Sequence, residues 1–422
     1  MEEKLYQTYV QILKEELVPA MGCTEPIAIA YCARKCFELL NDDIENIDIY
    51  VSGNIIKNVK SVIVPNTDGL KGIEASVAAG IVAGDSSKVL EVISEVNQQQ
   101  KEDMRTFLNT IPMKVIPYDS EYVLDIKIDI FGKQHQAIVE IAGFHTNIIF
   151  EQRDDKVLFQ AGVVTSKDDS LADRQLLTVQ KIYEFATCVK IEDVKDILQR
   201  QIDYNIKIAN VGLVNDYGAN IGRVLLNSYG DDIKVKAKAY AAAGSDARMS
   251  GCELPVVINS GSGNQGMTAS IPVIVYALEK NLEQDLLYRA LVISNLCTIH
   301  QKTGIGRLSA YCGAVSAGVG AGCGIAYLDG GDLCAIEHTL VNALAIVSGI
   351  VCDGAKPSCA AKIAASVDAG ILGYSMYQNH SEFKGGDGLV CKGVENTIKN
   401  IGRLARDGMK ETDKEIIKVM CD

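Results

Sequence analysis

Leu124-Asp-Ile-Lys-Ile-Asp-Ile-Phe-Gly-Lys-Gln-His-Gln-Ala-Ile-Val-Glu-Ile-Ala142 alternates apolar and polar side chains on both sides of a glycine turn. Leu124, Ile126, Ile128 and Ile130 share one face, and Ala137, Val139 and Ile141 repeat it after Gly132. A period of two marks strands with one buried face. Working outward, Ile47, Ile49 and Val51 alternate upstream, and Phe150 and Val157 flank an Asp154-Asp155 turn downstream. Two helices are expected to interrupt the strands, near Gly72–Ala83 and Ser87–Gln98. Residues 43–167 therefore read as a compact α+β domain.

On either side the period becomes helical. Leu5, Tyr9, Ile12, Leu13 and Leu17 recur at helical spacing, and Pro19 ends the run. Met21-Gly22-Cys23-Thr24-Glu25-Pro26 then opens an apolar helix that reaches about Leu40. Thr24 is the expected N-cap and Pro26 suits the first turn, which leaves Cys23 just ahead of a helix N-terminus. From about Asp169 to the end the pattern is mainly helical, with glycine gathered at 212–230, 244–266 and 304–331. The fold class expected is α+β. An all-α C-terminal domain over residues 168–422 joins the N-terminal helices of residues 1–42, with the α+β domain inserted between them.

Composition narrows the function. The net charge is −13 and no Lys/Arg run occurs, so nucleic acid and anionic membrane are poor partners. No charged residue falls between Arg307 and Asp329, but that stretch is mostly Gly, Ala, Ser and Cys. It reads as a buried helix with close neighbours rather than a membrane span. The N-terminal stretch is charged and amphipathic, unlike a secretory signal. With 13 cysteines, an odd number, the thiols are expected to be reduced, buried or metal-bound in a cytoplasmic protein.

Three constellations could carry chemistry. Cys352-Asp-Gly-Ala-Lys-Pro-Ser-Cys359 places two thiols around a turn, and Cys312 lies upstream in Leu308-Ser-Ala-Tyr-Cys-Gly. The spacing is looser than a zinc pair and on its own favours buried core cysteines. Cys297, Cys323, Cys334 and Cys391 sit in stretches read as apolar helices, where core packing is their role. Asn259-Ser-Gly-Ser-Gly-Asn-Gln-Gly266 precedes a helix expected to begin near Met267. Glycines there let backbone N–H groups approach an anion such as a carboxylate. Cys23, at a helix N-terminus, could have a lowered pKa and act as ligand, base or nucleophile, or be an ordinary loop cysteine. A fourth, looser group holds Gly53-Asn54-Ile-Ile-Lys57-Asn58, Pro65-Asn-Thr67-Asp68-Gly69 and His145, although a lone His is more often a satisfied polar residue.

Together these motifs make the chain resemble, along nearly its whole length, the L-cysteine desulfidase family, relatives of the iron–sulfur L-serine dehydratases. The residues that carry the resemblance are Met-Gly-Cys-Thr-Glu-Pro, Gly53-Asn-Ile-Ile-Lys-Asn58, the Asn259–Gly266 loop and the three-cysteine set. Cys312, Cys352-Asp353 and Cys359 look like the cluster cysteines of the serine dehydratases. Those enzymes read Cys-Asp-Pro where this chain reads Cys-Asp-Gly, and their Ser-Ser-Ser-His-Thr segment is missing here. The departures favour the desulfidase branch.

The resemblance implies a [4Fe–4S] cluster held by Cys312, Cys352 and Cys359, with one iron open to substrate. It implies Cys23 as the base, with Asn264, Gln265 and Gly266 on the substrate carboxylate. Thr24, Glu25, Asn54 and His145 complete the expected substrate shell. The reaction would be β-elimination of L-cysteine to pyruvate, ammonia and sulfide. L-Serine dehydration on the same iron is the first alternative, and a non-enzymatic iron–sulfur redox sensor the second. A pyridoxal phosphate site on Lys302 or Lys356 would leave the three cysteines without a role. The expected partner is a small amino acid, and a homodimer is compatible with the Gly-rich helices.

Overall fold

The computed structural model describes residues 1–161 and 171–421. The expected boundary between residues 167 and 168 lies outside the described residues. The alternating stretches form a six-stranded sheet. Its strands are β2 (Ile44–Val51), β3 (Met113–Pro117), β4 (Asp125–Gly132), β5 (Gln136–Ala142), β6 (Ile148–Arg153) and β7 (Lys156–Gln160), in the order β3-β2-β4-β5-β6-β7. β2 and β3 are parallel and every other pair is antiparallel. The register sets Ile49 opposite Ile128 and Ile128 opposite Val139, so the predicted apolar face is continuous across three strands.

The helix Thr24–Leu40 covers that face. Ile29, Cys32 and Cys36 belong to the sheet core, while Ile27 and Ala30 of the same helix belong to the larger helical core. The Cys36 thiol donates to the Ala137 carbonyl at 3.1 Å. One helix thus serves two cores. The chain that leads into it is pinned to the helical half by a two-stranded ribbon, in which β1 (Pro19–Met21) pairs antiparallel with β8 (Pro255–Val257).

One local expectation is corrected. Ser87–Gln98 holds only a short 3-10 turn over Ser86–Glu91, and the helix follows it at Gln98–Thr110. That helix buries only Met104, so no apolar stripe announced it. Its Asn97/Gln100 capping box, with both bonds at 2.9 Å, is the signal that did. Gly53–Val59 is a short helix.

The C-terminal half packs long helices around Gly313–Leu328, the uncharged stretch. A Cβ at Gly322 would strike the backbone of Gly370 in the helix Ser358–Gln378, so the two helices meet backbone to backbone. Among the described residues no helix is long and apolar enough to cross a membrane. Cys297 and Cys323 are buried in this core, whereas Cys334 is exposed and Cys391 lies in a loop ahead of the helix Val394–Arg403.

Candidate active site

One cavity lies where the two halves meet, and segments of both build its wall. The first is the start of Thr24–Leu40. Cys23, not Thr24, is the N-cap, and it makes no side-chain capping bond. Thr24 is the first helical residue and spends its hydroxyl on the Gly261 carbonyl at 3.0 Å, tying this segment to the glycine loop. Cys23 Sγ donates to Glu25 Oε2 at 3.2 Å. Burial and the Glu25 charge push the Cys23 thiol well above its ordinary value, with Arg248 opposing. This reverses the expectation of a lowered pKa, because a helix N-terminus cannot offset both loss of water and an adjacent carboxylate. Burial would also raise Glu25, but His145 and the Cys23 donor outweigh it and hold that carboxyl down at about 2.

His145 enters from the β5–β6 connection. Its Nε2 stands 3.9 Å from Glu25 Oε1, within ion-pair range but beyond a direct hydrogen bond, and makes no hydrogen bond among the described residues. The third segment is the glycine loop. Asn259 is fully buried and donates to Asn295 Oδ1 at 2.9 Å, and Ser260 and Gly261 take positive φ as the loop turns into the helix. That helix begins at Gly263, one turn earlier than expected, so Asn264 and Gln265 occupy its first turn and both line the cavity.

The cysteines form the opposite wall. Cys312 is the N-cap of Gly313–Leu328. Its N–H donates to the Ile350 carbonyl at 3.1 Å, and the Cys352 N–H donates to the Ala310 carbonyl at 2.7 Å, so a bridge of backbone bonds holds the two side by side. The turn from Cys352 to Cys359 passes through Gly354 at φ +90°, where a Cβ would collide with the Lys57 carbonyl. Cys359 lies in the first turn of Ser358–Gln378. All three cysteines face the same cavity as Cys23. Burial and the two neighbouring thiols push Cys312 up to about 12. Among the described residues no three His, Cys, Asp or Glu side chains stand close enough to hold a single ion. The ligands of a cubane sit on separate irons and stand wider apart than those of one ion.

The surroundings suit an anionic group. The N-termini of two helices point at the thiols. Lys302, also on the cavity wall, has a single long contact, 3.5 Å to the Arg307 carbonyl, and burial lowers it to about 8. Lys356 Nζ is buried without a hydrogen-bond partner among the described residues.

Of the residues expected at the site, Cys23, Glu25, His145, Asn264, Gln265, Cys312, Cys352 and Cys359 line the cavity. Three do not. Asn54 turns away and donates to Asp413 Oδ2 at 2.8 Å. Gly266 is a packing residue whose Cβ would meet the Val257 carbonyl. Thr24 is spent on Gly261. Sequence reasoning missed Arg248, whose one signal is an arginine in the otherwise small-residue run Ala-Ala-Ala-Gly-Ser-Asp-Ala-Arg.

The serine dehydratase alpha chain family matches residues 86–418, a range that holds every cavity residue named above except Cys23 and Glu25. Similar proteins span those two as well. A UPF0597 protein of Desulfitobacterium hafniense is 61% identical over 419 residues, 99% of this chain and 97% of its own length. One from Lachnoclostridium phytofermentans is 49% identical over 416 residues, 99% of this chain and all of its own. A third, from Finegoldia magna, is 48% identical over 417 residues with the same coverage.

Proposed function

The chain belongs to the serine dehydratase alpha chain family, an enzymatic family of the dehydratase and lyase kind, and on that footing we propose that it is an L-cysteine desulfidase. The reaction is β-elimination of L-cysteine to sulfide and 2-aminoacrylate, which tautomerises and hydrolyses to pyruvate and ammonia. The observation that carries the reading is the meeting of Cys312, Cys352 and Cys359 with Cys23 and Glu25 on one cavity.

The three thiols fit a [4Fe–4S] cluster with one iron left free of protein. They come from two segments, the Cys312 N-cap and the turn from Cys352 to Cys359, and thiols release their protons when metal binds. The helix N-termini, Lys302 and Lys356 offset the negative charge of a cluster on three thiolates. When bound, the cluster supplies a Lewis-acidic iron beside the substrate's β-substituent.

The remaining work falls to side chains. Asn264 and Gln265 hold the amino acid at the start of their helix. Cys23 takes the α-proton at Sγ. In the free site Glu25 keeps that sulfur protonated; a substrate ammonium arriving beside Glu25 offsets the carboxylate, the thiol proton leaves to solvent water, and the thiolate is then free to accept the α-proton. His145 Nε2, without a hydrogen-bond partner among the described residues, faces the same space. The cluster and the reduced thiols belong to a cytoplasmic setting.

L-Serine as substrate is favoured by the name of the matching family. Anaerobic reconstitution decides between them, with iron and acid-labile sulfide measured beside pyruvate release from each amino acid. About four of each per chain with faster pyruvate release from L-cysteine is the expected result. Faster release from L-serine makes the protein a dehydratase, and a cluster without turnover makes it a sensor. A chain that takes up no iron ends the cluster reading.

A further inference from the structure

Arg248 closes the helix Ile233–Met249 and is 3% exposed. A buried guanidinium has five N–H donors to satisfy, and leaving them bare is costly. Among the described residues only Nη1 has a partner, Asn264 Oδ1 at 3.1 Å, while Nε and Nη2 are buried and have none. A second observation points the same way. The guanidinium lies against Gly263, the first residue of the helix Gly263–Glu279, where a Cβ would collide with Nε. Ser262 at the N-cap makes no side-chain capping bond, so the first-turn N–H groups stay open beside the guanidinium. A third orphan is of the opposite kind. Gln265 Oε1, an acceptor, is buried on the same wall without a donor.

We propose that Arg248 and the N-terminus of Gly263–Glu279 bind the α-carboxylate of the substrate, while Gln265 Oε1 accepts from its α-ammonium. The inference rests on the reading above that the substrate is an amino acid, and it restricts the site to amino acids with both groups free. It also reassigns Asn264. Its carbonyl faces Arg248, so it is a positioning residue that aims the guanidinium rather than a direct carboxylate donor. A planar fork suits a carboxylate in a way that lysine cannot match.

The test is calorimetric binding to the reconstituted holoprotein. L-Alanine has both groups and no leaving group, L-alaninamide lacks the carboxylate, and propionate lacks the ammonium. L-Alanine should bind at least about tenfold tighter than either analogue, a conservative share of what an unpaired buried charge costs. Arg248→Gln should erase the preference over L-alaninamide, Arg248→Lys should restore part of it, and Asn264→Ala should weaken L-alanine several-fold. Equal binding of L-alanine and L-alaninamide by the wild type overturns the clamp, as does an absence of L-alanine binding, and neither result needs a variant to fold. If L-alanine binding depends on its carboxylate but neither L-cysteine nor L-serine yields pyruvate, the clamp stands and the elimination reading falls. Pyruvate formation with carboxylate-independent binding has the reverse meaning.

Discussion

Lys57 Nζ and Asp413 Oδ1 lie 2.5 Å apart, joining the helix Lys410–Cys421 to the short helix Gly53–Val59 beside the cavity. The Lys57 side chain is 1% exposed, and its main-chain carbonyl abuts Gly354 in the turn between Cys352 and Cys359. Asp413→Ala would leave that ammonium buried and unpaired. The expected loss is about 3–5 kcal/mol of stability, read by urea denaturation, with earlier proteolysis of the C-terminal helix. A loss below about 1 kcal/mol, the range of exposed pairs, would show that the ion pair does not hold the helix.

Cys23→Ser keeps a hydroxyl for Glu25 but removes the sulfur proposed to accept the α-proton. Iron content should match wild type while pyruvate release falls by about 10²–10⁴-fold, the span of general acid–base contributions. Retained turnover would reassign the base, and His145 would be the next residue to replace.

Cys352→Ser and Cys359→Ser should each reduce iron bound after anaerobic reconstitution, measured by elemental analysis. Cys323→Ala is the control. That thiol is buried in the helical core away from the cavity, so the variant should lose stability yet bind iron as wild type does. Equal iron in all three variants would remove the assigned ligand set.

Asp125, at the start of β4, gives a pH prediction remote from the site. Burial pushes its carboxyl up to about 7, with Glu140 adding to the shift and Ser120 opposing it. The folded state therefore holds this proton more tightly than the unfolded state, whose value is about 3.9. The resulting stability is full below about pH 4 and drains away as pH rises through about 7. Asp125→Asn removes the dependence. The variant should gain melting temperature over wild type on going from pH 5 to pH 8, and a gap independent of pH would contradict the burial effect.

Periodicity made the sheet legible, because β2, β4 and β5 each keep one buried face in register. It failed for Gln98–Thr110, a helix with one buried side chain, and for Gly53–Val59, too short to show a stripe. Most of the cavity residues were legible as motifs, yet their meeting was not. It depends on bonds such as Thr24 to Gly261 and Cys352 to Ala310 that no local pattern encodes. Asn54 was misplaced because a loop motif does not reveal that a distant helix will claim its amide. Arg248 was passed over because charge in an alanine-rich helix ordinarily faces solvent.

The helix that serves two cores has a consequence for biosynthesis. Thr24 finds its partner Gly261 237 residues further along the chain, and the sheet that its helix covers is itself completed only with β7. At about 5–20 residues per second, Ile27 waits on the order of ten to fifty seconds for the helical half, while Ile29 and Cys32 are covered as soon as the sheet is made. During that interval the growing polypeptide presents sticky surface to its surroundings. The first forty residues are therefore where a holding chaperone would act on the nascent chain.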